Sequence, residues 1–320
     1  MYHIIVNPAS QSGKGINIWK RLEQILIDHK AEYQVYFTQK DNPCGDIVKS
    51  VCEEAESRKE EIHIVLLGGD GTVNEVLQVI PSFENLKITV IPTGSSNDLA
   101  RDLIISDDPE EVLTHMLENP TSMRVDLGNV HCENSLVRQG NMAIPDRRFI
   151  VSTGIGYDAA ICEEVERSKL KPFLNRIGLG KLVYLGVALR QLAATKYITA
   201  EITLDGDEKT IIHLNRVLFV AGMNHRFEGG GFMFGPHANN HDGIIDLCSV
   251  SKISKSKILR ALPTAYKGEH FRFDGIDPFR ARKYTVRTSE PLWVHTDGEV
   301  RTKADFVSVW VDKELIHLVY

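Results

Sequence analysis

Three short runs hold residue types suited to chemistry on a phosphate. In "VLLGGDGTVNEVL" (65–77) an apolar run ends in Gly68 and Gly69, Asp70 stands before Gly71, and a helical pattern starts at once. Flexible glycine amides at a helix start favour an anion. Thr72 and Glu75 have the spacing of a capping box, which predicts a strand, a tight turn and a capped helix in succession. A carboxylate at such a turn competes with phosphate unless a cation intervenes, and Mg²⁺ binds carboxylate and phosphate oxygens together. The stretch "VIPTGSSNDLAR" (90–101) repeats the design: Ser95 and Asp98 have capping spacing, and Asn97 offers donors. Asp126 follows a strand in "VDLG". Asp70, Asp98 and Asp126 are predicted to converge at one edge of a parallel sheet, where ligands of open α/β folds bind.

Other runs carry less weight. "NPASQSGKG" (7–15) leads from a strand towards a helix but fails the P-loop pattern, so a plain loop and a phosphate loop are equally good readings. In "PHANNHDGIIDL" (236–247) and "HTDGEV" (295–300) the Asp-Gly pairs are hairpin signals first. His237 and His241 lie in Asn-rich surroundings and do not read as a zinc site. "STGIGYDAA" (152–160) matches G-x-G-x-x-A, but no β-α alternation follows it, and NAD(P) binding there is rejected.

Positioning these residues needs two kinds of structure. The first third alternates strands at 2–6, 32–38, 62–67 and 87–92 with helices at 15–30, 45–59, 73–80 and 97–104, which predicts a mostly parallel sheet covered by helices. After residue 127 strand signals dominate, at 148–154, 197–206, 216–223, 242–250, 283–289 and 306–312. Two helical stretches, near 157–168 and 175–195, interrupt them. Turn residues between the strands favour antiparallel pairing.

Composition bounds the rest. The chain has 320 residues and a net charge of −6, which argues against a general nucleic-acid partner. Five scattered cysteines without a CxxC pair suit a reduced cytoplasmic protein. No signal-peptide pattern and no spanning apolar run occur, so lipid contact is expected to be peripheral, on the inner face of the membrane. Between Arg167 and Ala200 no acidic residue occurs, while Arg167, Lys169, Lys171, Arg176, Lys181, Arg190 and Lys196 interleave with leucines, Phe173 and Tyr184. That stretch reads either as a dock for an anionic leaflet or as an ordinary packed helix with solvated lysines.

Taken together, "GGDGTVNEV" (68–76), "PTGSSNDLAR" (92–101), "VDLG" (125–128), "DGIIDL" (242–247) and "DGE" (297–299) resemble the soluble bacterial diacylglycerol kinase family, whose catalytic domain is shared with sphingosine and ceramide kinases. GGDGT alone also fits NAD kinases; the later elements favour the lipid kinases. The resemblance implies an α/β domain over 1–127, similar to the nucleotide domain of NAD kinase and phosphofructokinase. It implies an antiparallel β-sandwich domain for the lipid over 128–304, with 305–320 returning to the first, and ATP in the cleft between the domains. The implied nucleotide contacts are Asn7, Thr38, Gly68, Gly69, Asp70, Gly71, Thr72, Asn74, Glu75, Gly94, Ser95 and Asn97. A water-mediated Mg²⁺ network would map to Asp70, Asp98 and Asp126, and a second Mg²⁺ to Asp242 with carbonyls of Asn239 and Ile244. The general base would be Asp297, with Glu299 beside it and Asp70 the third catalytic carboxylate. Ser95 stands where threonine is common, and the loop after Asn7 is longer than the simplest form. The implied activity is ATP-dependent phosphorylation of a lipid alcohol at the membrane surface, foremost diacylglycerol to phosphatidic acid. An NAD kinase-like or sphingoid-base kinase is the alternative, and a homodimer through a sheet edge is compatible with either.

Overall fold

The computed structural model describes residues 1–39, 41–58, 60–135, 144–168, 180–205 and 210–320. The chain divides into two compact units, Met1–Leu127 with Lys313–Tyr320, and Gly128–Asp312. The segment that returns to the first unit is thus shorter than 305–320, since residues 305–312 belong with the second.

The first unit is built on β1 (Tyr2–Val6), β2 (Tyr33–Phe37), β3 (Ile62–Gly68) and β4 (Leu86–Pro92), ordered β2-β1-β3-β4 and parallel throughout. His317 and Leu318 add a further parallel pairing on β4. The helices are α1 (Ser10–Gly13), α2 (Gly15–Asp28), α3 (Cys44–Arg58), α4 (Asp70–Val79), α5 (Asp98–Asp102) and α6 (Pro109–Glu118). The strands are near-continuous apolar runs because helices cover the sheet. Ile18, Trp19 and Leu22 of α2 and Val112, Leu113 and Met116 of α6 pack with Ile4, Val6, Val65, Leu67 and Ile91 in one buried cluster. Helix α6 was not foreseen in the sequence, although Asp108 caps it through the Glu110 amide at 2.9 Å and Pro109 opens it. Helix α5 ends at Asp102, shorter than expected over 97–104.

The second unit is antiparallel. It contains β6 (Arg147–Phe149), β7 (Ser152–Gly156), β8 (Ile198–Leu204), β9 (Thr210–Met223), β10 (Ile245–Ser251), β11 (Ile276–Ala281) and β12 (Lys283–Thr296). The division falls inside β5 (Ser122–Glu133) and inside β13 (Glu299–Val319). The long strands β9 and β12 each pair with β7 near one end and with β8 towards the other. They enclose a core that includes Phe149, Ile155, Ile202, Val220, Leu247, Tyr284, Val286 and Val309. Helix α7 (Tyr157–Arg167) follows β7, and two more helices span Gly180–Ala194 and Lys255–Ala265. Strand β7 is antiparallel to both neighbours, which removes the parallel β-α-β unit that a dinucleotide fingerprint at 152–160 would require.

Candidate functional site

In the first unit, parallel register sets the carboxyl edge of the sheet. Phe37, Val6, Leu67 and Ile91 are register partners in one row. The chain therefore leaves the sheet through Thr38, Asn7, Gly68 and Pro92, side by side. Two short bonds continue the row, from the Thr38 N–H to the Val6 carbonyl at 2.9 Å and from the Thr93 N–H to the Gly68 carbonyl at 2.9 Å. Asn7 folds its side chain back, its Oδ1 accepting from the Ala9 N–H at 3.0 Å, so the "NPASQSGKG" run turns directly into α1 and α2.

The two glycine turns rest on each other. A Cβ placed on Gly69 would lie 2.7 Å from the Gly94 Cα, and one on Gly94 would lie 2.6 Å from the Gly69 Cα. The neighbour that these glycines admit is another backbone. Helix α4 begins at Asp70 with Gly69 as its N-cap, so Thr72 lies inside the first turn and the expected Thr72–Glu75 capping box does not form. Glu75 instead accepts from the Gly45 N–H at the start of α3, at 2.8 Å. Ser95 is exposed and does not cap α5. Asn97 stands at the N-cap with φ of 50°, its Oδ1 accepting from the Gly94 N–H at 2.9 Å. Asn74 is fully buried in α4, where its carbonyl takes the Gln78 amide at 2.9 Å, and Gly71 is exposed in the first turn.

Asp70 joins the turns. Its Oδ2 accepts from the Asp98 N–H at 2.9 Å and its Oδ1 from the Leu99 N–H at 3.3 Å, so the carboxylate sits on the open amides of α5. Asp98 is buried and meets Arg101 at 2.5 Å. Asp126 differs from expectation because it lies within β5 rather than at a strand end. Its buried carboxylate accepts from the Glu314 N–H at 2.7 Å, where Glu314 bends β13 with φ of 52°. The first two carboxylates are thus tied through backbone, and the third is tied to the returning strand. All are hard oxygen donors of the kind that Mg²⁺ takes. The ligand atoms of the three do not lie together within 4.8 Å as a set, so the structure does not show them converging on one ion.

The proposed second cation set fits less well. Asp242 Oδ1 accepts from the Ile244 N–H at 2.9 Å, its Oδ2 meets Arg280 at 2.8 Å, and the Asn239 carbonyl takes the Asp242 N–H at 3.5 Å. This is a closed turn in which Arg280 is shared between Asp242 and Asp246, at 2.8 Å and 3.2 Å.

In the second unit, Asp297 and Gly298 form the two-residue turn between β12 and β13, with φ of 51° and 81°. Positive φ at both positions suits the twist of the hairpin, and Asp-Gly supplies it. The Asp297 carboxylate accepts three backbone N–H groups, from Ile150 at 3.0 Å, Val151 at 2.8 Å and Ser152 at 3.0 Å. These bonds occupy the bend between β6 and β7, so Asp297 anchors the turn to the sheet. Glu299 faces Arg301 at 3.0 Å with its side chain 32% exposed.

Beneath this turn is a group that sequence reasoning missed. His295 is fully buried, with Nε2 3.3 Å from Asp158 Oδ2 and 3.3 Å from Glu228 Oε1. Its Nδ1 accepts from the Gly298 N–H at 3.2 Å. That nitrogen must then be bare, which places the ring proton on Nε2 between the carboxylates. Burial pulls the imidazole pKa down, but Glu228 and Asp158 raise it further, to about 9. Full protonation therefore competes with the Gly298 bond. The three residues have ligand atoms within 4.8 Å of one another, yet Nε2 with a proton cannot ligate a metal, and the hydrogen-bonded reading fits better. Gly154 makes the space, since a Cβ there would lie 1.8 Å from Asp158 Oδ2 and 2.6 Å from His295 Nε2. Gly154 and Asp158 both belong to "STGIGYDAA", so the signal was present in the run rejected for NAD(P).

Of the basic stretch, Lys169, Lys171, Phe173 and Arg176 lie outside the described residues. Arg167 pairs with Glu163 at 2.8 Å and Arg190 with Glu164 at 3.2 Å.

Known proteins are similar to this chain in sequence and in fold. Residues 1–130 match the diacylglycerol kinase catalytic domain, and residues 150–315 match the YegS C-terminal NAD kinase beta sandwich-like domain. A diacylglycerol kinase of Bacillus subtilis is 28% identical over 299 residues, 92% of this chain and 88% of that protein. The crystal structure of a diacylglycerol kinase from Bacillus anthracis superposes with a TM-score of 0.67 at 18% identity, covering 100% of this chain and 96% of that one. Yeast NADH kinase complexed with NADH shares the fold at a TM-score of 0.51 and 11% identity, covering 100% and 82%. With both domains matched in order, the chain belongs to the diacylglycerol kinase family of lipid kinases.

Proposed function

We propose that the protein transfers the γ-phosphate of ATP to a lipid hydroxyl, with diacylglycerol as the acceptor and phosphatidic acid as the product. The observation that carries the reading is the carboxyl edge of the parallel sheet. There Thr38, Asn7 and Gly68 stand in register, and Asp70 ties the first glycine turn to the second. The acceptor is inferred from relatives named diacylglycerol kinase.

Asn7, Thr38, the Gly68–Glu75 run and the Gly94–Asn97 turn would bind the nucleotide, with backbone amides and hydroxyls as donors. Mg²⁺, when bound, would spread the charge of the β- and γ-phosphates, and Asp70, Asp98 and Asp126 are the residues that would hold it. The Asp297–Glu299 turn would take the proton of the attacking hydroxyl. Asp297 has its lone pairs directed at three amides, so the accessible carboxylate of Glu299 is the stronger candidate for that proton. Fixed positions and charge neutralisation would supply most of the rate.

The test compares ADP release with dispersed diacylglycerol, a sphingoid base and NAD. Diacylglycerol should give the highest turnover, and preference for NAD would refute the lipid reading. Glu299→Gln should lower kcat about a hundred-fold or more with the fold intact. Unchanged turnover would remove Glu299 as the base.

A further inference from the structure

The helix Lys255–Ala265 and its flanks form an unusual surface. Residues 247–268 contain Lys252, Lys255, Lys257, Arg260 and Lys267 and no acidic residue, in a chain of net charge −6. Ser254 caps the helix by accepting the Lys257 N–H. Ile258, Ala261 and Ala265 face inward, and the first two pack with Phe219, Val250 and Ile276. At 3.6 residues per turn, Leu259, Pro263 and Tyr266 then fall along one outward line. Leu259 is 46% exposed and Tyr266 51%. Tyr266 is stacked on Phe232, with ring centroids 4.1 Å apart.

The cations divide clearly. Lys255 is turned inward, its Nζ donating to the carbonyls of Ala193 at 2.7 Å and Thr195 at 3.1 Å. Lys252, Lys257, Arg260 and Lys267 are exposed and make no ion pair among the described residues. Arg167 and Arg190, from the stretch suggested by sequence, are paired with glutamates. Lys257, two residues before Leu259, falls on the far side of the helix, whereas Arg260 and Lys267 stand three and four residues from Pro263 and flank the line. Uncompensated cations beside an exposed apolar line, on a protein of opposite net charge, complement one kind of surface. An acidic protein partner would need a contact of about 1,000 Å² in total, more than this short line of three side chains offers. A nucleic acid would gain nothing from Leu259 and Pro263.

We propose that this helix docks the protein on an anionic lipid bilayer. It lies in the interface plane, with Leu259, Pro263 and Tyr266 among the upper acyl chains and the flanking Arg260 and Lys267 against the headgroups. No helix among the described residues is long and apolar enough to cross a membrane. The inference deepens the lipid-kinase reading, but its test uses neither ATP nor turnover, so each fails independently.

The experiment is co-sedimentation of the full chain with phosphatidylcholine vesicles, with and without phosphatidylglycerol. Binding should require the anionic lipid and weaken with salt. Arg260→Gln and Lys267→Gln should each lower partitioning roughly five-fold, and together about 25-fold, the ~1 kcal/mol that a basic residue gains at such a surface. Leu259→Ser with Tyr266→Ser should weaken binding at unchanged charge. Tyr266→Trp should show a blue-shifted emission on anionic vesicles. None of these residues belongs to the proposed site, and far-ultraviolet circular dichroism serves as the check of folding. Binding that ignores phosphatidylglycerol would overturn the proposal. So would wild-type partitioning by the double glutamine variant, or affinity for duplex DNA equal to that for vesicles.

Discussion

Replacing Gly69 with alanine should destabilise the first unit, and the same strain should reappear at Gly94. The Cβ positions fall 2.7 Å and 2.6 Å from the opposing Cα atoms. Carbon atoms pack comfortably at about 3.5–4.0 Å, so the turns would have to part by roughly 1 Å. They are not free to part. The Thr93 N–H is bonded to the Gly68 carbonyl at 2.9 Å, and Asp70 is bonded to the Asp98 amide at 2.9 Å. Forcing a methyl group into such a contact costs ~1–3 kcal/mol. Each single variant should therefore lose about 2 kcal/mol in urea unfolding. Once the turns have separated, the second methyl meets less resistance, so the double variant should lose less than the sum, by ~1 kcal/mol. The assay is equilibrium denaturation of the wild type, both single variants and the double, read by far-ultraviolet circular dichroism. Single variants as stable as wild type, with only ATP affinity reduced, would refute the reasoning. They would show that the missing side chains make room for a ligand instead of for each other.

Two further outcomes follow from buried histidines. His295→Asn places an acceptor near the position of Nδ1 and can keep the Gly298 bond, whereas His295→Gln cannot. The asparagine variant should retain roughly ten-fold more turnover, with KM for ATP similar in both, because losing one partner of a buried donor costs ~1–3 kcal/mol; equal loss would contradict a positioning role. His63 and His270 both have pKa values lowered to about 4 by burial, with Lys87 adding to the effect at His63. The unfolded chain then binds more protons between about pH 6.5 and 4, so stability is full above that window and falls as the pH is lowered through it. Thermal unfolding across those pH values should show the decline, and a flat profile would contradict the buried neutral state.

Much of the architecture was legible because strand-helix alternation and antiparallel turn signals both leave local patterns. Helix α6 was legible too, through Asp108 and Pro109, but was missed. The candidate site was less so. Glycine spacing located the turns at 68–71 and 92–97, yet sequence alone could not show that Gly69 and Gly94 oppose one another. Which acceptor a carboxylate finds depends on tertiary partners far along the chain. Asp126 meets Glu314, and Asp297 meets amides at 150–152. The same distance in sequence hid His295, whose carboxylates come from α7 and from the loop after β9. Glu228 is also bonded through its backbone to Phe232, the residue on which Tyr266 stacks. One short loop therefore links the buried cluster to the lipid-docking face.

The most direct measurement supplies γ-labelled ATP, Mg²⁺ and a total lipid extract to the purified protein, then identifies the labelled product. Label in phosphatidic acid is the predicted result, with a loss of about a hundred-fold or more in Asp70→Asn. Label that stays in ATP or appears only as inorganic phosphate, or transfer to NAD in preference to any lipid, would contradict the account.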